Sequence, residues 1–91
     1  MRPRIEYSEE KNLILKETRG ISFDDVIESI KKGHILDNLK HKDVKKYPDQ
    51  KILVVKIRNY IYAVPYINRE GILFLKTVYP SRVFTKKYLK K

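Results

Sequence analysis

Cysteine is absent from the 91 residues. That excludes a disulfide framework, a thiolate zinc site and a cysteine nucleophile. Histidine is scarce: His34 and His41 are the only two, and they lack metal-ligand spacing and a nearby acidic cluster beyond Asp37 and Asp43. No metal and no cofactor are expected. The three glycines each sit at a turn or helix end, so there is no glycine-rich phosphate loop, and no serine sits in a nucleophile elbow. No apolar run approaches the roughly 18 residues of a membrane span. The segment Met1 to Tyr7 has no apolar stretch for a signal peptide. The expectation is a cytoplasmic protein of one domain, residues 1–91, with no membrane partner.

Acidic charge is also short in one part of the chain. The net charge is +10, and it is segregated. Residues 1–30 carry 5 basic and 7 acidic side chains, whereas residues 31–58 carry 9 and 3. Residues 80–91 carry 5 basic side chains and no acidic one. Such a field attracts phosphate polyanions and speeds their association. The segregation exceeds what solubility needs, so nucleic acid, and RNA above all, is the expected partner. Hydrophobic residues make up 42%, enough for a packed interior.

Local signals divide the chain. Residues 4–7 read as a short strand. Ser8 reads as a helix N-cap followed by Glu9 and Glu10, with Leu13, Ile14 and Leu15 as the apolar content and Gly20 as the stop. Ser22 and Asp25 form an approximate capping box, and Ile21 and Val26 a hydrophobic staple. Phe23, Val26, Ile27 and Ile30 fall on one helical face, which predicts a helix over about 23–32 ended by Gly33. His34 is expected to serve the C-terminus of that helix. Ile35 to Leu39 reads as a strand and residues 40–50 as a basic loop with a turn at Tyr47-Pro48-Asp49. Three apolar runs follow, Ile52–Ile57, Tyr60–Ile67 and Ile72–Tyr79, joined by turns at Asn59 and Asn68–Gly71. Pro65 predicts an edge or a bulge. Pro80 and Ser81 open a short helix, Val83 to about Leu89, that frays into Lys90 and Lys91. The predicted fold is α+β: two N-terminal helices, an antiparallel three- to four-stranded meander and a short C-terminal helix, with helices on one face of the sheet.

The candidate chemistry is cationic and phenolic. Lys76, Tyr79, Arg82, Lys86 and Lys87 fall within twelve residues. Arg82 can grip a phosphate bidentately, and backbone amides at the helix start at Ser81 are a second phosphate ligand. Lys45 and Lys46 add charge in the basic loop. His41, in the same loop, has an intrinsic pKa suited to acid–base work. The seven tyrosines offer stacking surfaces for bases, though most read as sheet-face residues.

Three motifs carry a family resemblance over about residues 5–90: Glu10-Lys11-Asn12; Arg19-Gly20-Ile21-Ser22-Phe23-Asp24-Asp25; and Ser81-Arg82 with Thr85-Lys86-Lys87-Tyr88. The chain resembles the BrnT family of bacterial toxins, which are similar to the RelE-like ribonuclease toxins of type II toxin–antitoxin systems. The resemblance implies a RelE-like fold and a metal-independent endoribonuclease. It also implies a cognate antitoxin, a DNA-binding repressor, as protein partner. The expected reaction is attack of an RNA 2′-hydroxyl on the adjacent phosphorus. Arg82 and Lys76 are the expected phosphate clamps, and His41 or Tyr79 the acid–base group. Two alternatives stay open: a non-catalytic RNA- or DNA-binding module, and a protein–protein regulator whose basic face receives an acidic partner.

Overall fold

Each helix of the described residues starts at a serine. The computed structural model describes residues 4–40, 43 and 45–89. They form β1 (Arg4–Tyr7), α1 (Glu9–Arg19), α2 (Phe23–Lys31), β2 (Ile35–Lys40), β3 (Gln50–Ile57), β4 (Tyr60–Arg69), β5 (Ile72–Leu75), β6 (Tyr79–Pro80) and α3 (Arg82–Tyr88). The Ser8 hydroxyl accepts the Lys11 amide at 3.2 Å, and the Ser81 hydroxyl accepts the Phe84 amide at 3.1 Å. At α2 the Ser22 amide donates to the Asp25 carboxylate at 3.0 Å. These bonds satisfy donors that a helix start leaves without intrahelical partners. The expected ends hold too. Gly33, with φ 77, lets its own amide reach Ile30 O and that of His34 reach Ser29 O at 2.9 Å, which closes α2. His34 thus serves the helix end through its backbone.

The architecture is α+β, with a correction to the expected sheet. Among the described residues six strands form one mixed sheet in the order β1-β5-β4-β3-β2, with β6 beside β4. The predicted antiparallel meander is its centre, β2 to β5. A strand also precedes the helices: β1 pairs with β5 in parallel, Tyr7 opposite Leu75. Ile5 and Tyr7 pack against the core, so burial holds a segment too short to announce its distant partner.

The Ile72–Tyr79 run is not one strand. It breaks after Leu75 and resumes at Tyr79. Pro65 explains the break. Its carbonyl accepts the Lys76 amide at 2.8 Å. A strand residue aims its amide and carbonyl at the same neighbour, so Pro65 presents its missing donor to this side. The interruption lies opposite the proline, between the β4–β5 and β4–β6 pairings.

The main core lies between the sheet and α1 with α2. Leu15, Ile21, Phe23 and Val26 pack on Leu53, Val55, Ile57, Val64, Tyr66, Leu75 and Val78. Two side-chain expectations are corrected. Leu13 and Ile14 are exposed, and α1 instead buries Leu15 and Asn12. On α2, Ile30 packs against the core as expected, but Ile27 is only half-buried while Ser29 is buried, its hydroxyl donating to the Lys56 carbonyl at 3.1 Å. The third correction concerns α3. It lies on the opposite face, where it covers Val54, Ile61 and Ala63, all fully buried but outside the main core. The Ser81 amide reaches Ile61 O at 2.9 Å, and the Thr85 hydroxyl accepts the Ile61 amide at 3.2 Å.

Candidate nucleic-acid interface

Strand register defines the face on which α3 lies, because residues directly opposite one another share a face. One row of side chains runs Gln50, Ile67, Phe74, Glu6. The next runs Leu39, Ile52, Pro65 and ends at Lys76, whose amide meets Pro65. The third runs Asp37, Val54, Ala63, Tyr79. Helix α3 covers the middle of the third row, Val54 and Ala63, and leaves Tyr79 exposed at its end. Its C-terminal end is tied to β2 by Tyr88, whose hydroxyl donates to Asp37 at 2.6 Å. That bond holds the Asp37 carboxyl below its ordinary pKa and pushes the Tyr88 phenol up.

Among the described residues no helix covers the first two rows. Ile52, Pro65, Ile67 and Ile72 are half-buried, and Phe74 is 37% exposed. Lys76 therefore emerges between Phe74 and Tyr79 on an uncovered face. Tyr79 is also 37% exposed. Two of the predicted residues, Lys76 and Tyr79, are brought together here.

Arg82 stands farther along. The Lys76 amide meets Pro65 and the Ser81 amide meets Ile61. Four residues of β4 separate those anchors, about 13 Å of strand. Lys76 and Arg82 are thus spaced for separate phosphates, with the Tyr79 row between them. The expected phosphate site on the amides of the α3 start is corrected. Ser81 already occupies the Phe84 amide, and a helix of 7 residues has little dipole to add.

Lys86 and Lys87 are exposed in the last turn of α3, with the Lys87 ammonium 5.4 Å from the centre of the Tyr88 ring. Lys45 and Lys46 are exposed in the loop before β3, and Lys46 sits 5.5 Å from the Tyr47 ring centre. His41 lies outside the described residues. His34 lines a separate polar cleft with Lys32 and Arg58, whose cations already face Glu28 at 3.2 Å and Asp25 at 3.5 Å. Among the described residues no group of His, Asp and Glu is arranged to hold a metal ion.

The motifs behind the family resemblance do structural work at the helix layer. Buried Asn12 accepts the Phe23 amide at 2.7 Å and donates to Asp24 at 3.2 Å. Asp24 also accepts from the Tyr7 hydroxyl at 3.1 Å and faces the Lys16 ammonium at 3.3 Å. The Asn12 bond is the leading cause that holds its carboxyl below the ordinary range. Arg19 donates to the Val78 carbonyl at 2.9 Å, which steadies the chain just before Tyr79.

Phe74 and Arg69 belong to the same open face, and the sequence reading passed over both. The alternation of the Ile72–Lys76 segment carried the signal: it places Ile72, Phe74 and Lys76 on one side. Comparison with family models, with curated proteins and with solved structures finds no match to this chain.

Proposed function

We propose that this protein binds RNA across the open half of its sheet and cleaves it without a metal, as the toxin of a toxin–antitoxin pair. One observation carries the reading: Lys76 and Tyr79 stand in adjacent rows of an uncovered face, with Arg82 just beyond. In that arrangement Lys76 and Arg82 hold phosphates on either side of the Tyr79 phenol. The RNA 2′-hydroxyl gives its proton to a base as its oxygen attacks phosphorus, the bond to the 5′-oxygen breaks, and the leaving oxygen takes a proton. Positive charge fixed beside the phosphorane oxygens favours this step, since their charge grows in the transition state. Tyr79 or His41 is the group that moves the proton. The RelE-like assignment and an antitoxin that masks this face belong to the same proposal.

A second reading is a plain RNA-binding module. It is favoured by the lack of any hydrogen-bond partner for the Tyr79 hydroxyl or the Arg82 guanidinium among the described residues, which leaves no second group to orient either. One experiment separates the two. A defined RNA is incubated with the protein in the presence of a chelator, and the product ends are analysed. Cleavage leaving a cyclic phosphate and a 5′-hydroxyl is expected. RNA that binds but stays intact, with or without ribosomes, would favour the module.

A further inference from the structure

We infer that the open panel beside β5 is a subsite for unpaired bases, so that the ligand of this face is a single-stranded nucleic acid. The inference rests on the RNA-binding reading. Ile67, Ile72 and Phe74 form the floor of a shallow groove of about 380 Å³ that is also lined by Glu6, Arg69 and Lys76. The floor is apolar and includes an exposed aromatic ring. The π-face of a base stacks on such a ring whatever the sequence. The cations stand at the two ends. Arg69 is opposite Ile72 at the β4–β5 turn, and Lys76 follows β5. The carboxylate among the described lining residues, Glu6, is paired with Arg4 at 3.2 Å, which offsets its charge. The net charge of +10 adds long-range attraction for a polyanion.

The order of the side chains selects the occupant. Along this side of β4 the open face reads Phe74, Lys76, Tyr79, an aromatic ring, a cation and a second ring. That alternation matches a strand that repeats base and phosphate. An amphipathic protein segment would want an unbroken apolar stripe, and Lys76 interrupts it. A duplex stacks and pairs its bases, so it would meet only the cations.

The test measures binding of a short labelled single-stranded RNA, 2′-O-methylated to prevent cleavage, and of its duplex, by fluorescence anisotropy. Wild type, Phe74→Ala, Phe74→Trp and Lys76→Ala are compared, each checked for folding by circular dichroism. The single strand should bind more tightly than the duplex at equal salt. Phe74→Ala should weaken single-strand binding about tenfold and leave duplex binding unchanged, in line with the usual worth of one stacked base. Phe74→Trp should retain affinity, and the single strand should quench its fluorescence. Wild-type affinity in Phe74→Ala alongside a loss in Lys76→Ala would overturn the base subsite and leave RNA binding standing. Failure of wild type to bind either oligonucleotide would overturn both. Quenching of Phe74→Trp by an acidic amphipathic peptide but by no oligonucleotide would reassign the panel to a protein partner.

Discussion

The carbonyl of Pro65 accepts the amide of Lys76 at 2.8 Å. Pro65 has no donor of its own to return, so the ladder stops there, and the chain leaves β4 before rejoining it at Tyr79. The gap shifts the register by one residue, so Tyr79 instead of Val78 stands opposite Ala63, on the face that carries Phe74 and Lys76. One residue with a missing amide thereby shapes the candidate interface.

Removing the Phe23 ring tests the core between helices and sheet. Phe23 is fully buried, and its ring lies 5.0 Å from that of Tyr7. Phe23→Ala should cost about 3–5 kcal/mol as a cavity substitution, read from urea unfolding. A loss of less than about 1 kcal/mol would misplace α2.

The Asn12 bridge gives a second stability test. Asn12→Ala leaves the Phe23 amide without its acceptor in a buried setting. The expected cost is about 1–3 kcal/mol, measured the same way. Full stability in Asn12→Ala would mean that water replaces the side chain without loss.

Much of this was legible in the sequence, and the reason differs by element. The α2 start could be read because Ser22, Asp25, Ile21 and Val26 interact within a few residues of one another. The central hairpins could be read because Arg58, Asn59, Glu70 and Gly71 adopt positive φ at local turns. β1 was legible as a strand but not as a parallel partner of β5, since its neighbour is distant along the chain. The side of the sheet taken by α3 was not legible, because both faces of β4 are apolar. Lys76 and Tyr79, two of the five residues that the sequence groups together, lie in neighbouring rows of one sheet face. Phe74 was missed because an aromatic ring in an apolar run reads as core unless the opposite face is known to be bare.

Acid and alkali should each loosen the fold through identified groups. Asp24 and Asp37 have carboxyls held below the ordinary value of 3.8. A depressed carboxyl contributes stability that is present above its unfolded pKa and lost as pH falls through the folded one. Stability should therefore decline below about pH 4, and Asp24→Asn should flatten that decline. Tyr7 and Tyr88 have phenols raised above 10.0, so their contribution is present below that value and lost as pH rises through the folded pKa. Unfolding curves across pH, with Tyr88→Phe as the alkaline control, check both limbs.

Arg82→Ala should leave the fold intact, because exposed substitutions usually change stability by within about 0.5 kcal/mol. Its RNA cleavage should fall about a hundredfold or more. Arg82→Lys should recover little, since lysine cannot reproduce the bidentate fork. Equal cleavage by all three proteins would move the site away from α3.

The most direct test of RNA binding at the open face is the salt dependence of affinity. Binding of a labelled single-stranded RNA is measured from low to moderate salt for wild type and Lys76→Ala. Wild-type affinity should fall steeply, by about 0.7 in the logarithmic slope for each phosphate neutralised. Lys76→Ala should lower that slope by about one such step. A flat salt dependence in the wild type would contradict RNA binding, and an unchanged slope in Lys76→Ala would contradict its placement on this face.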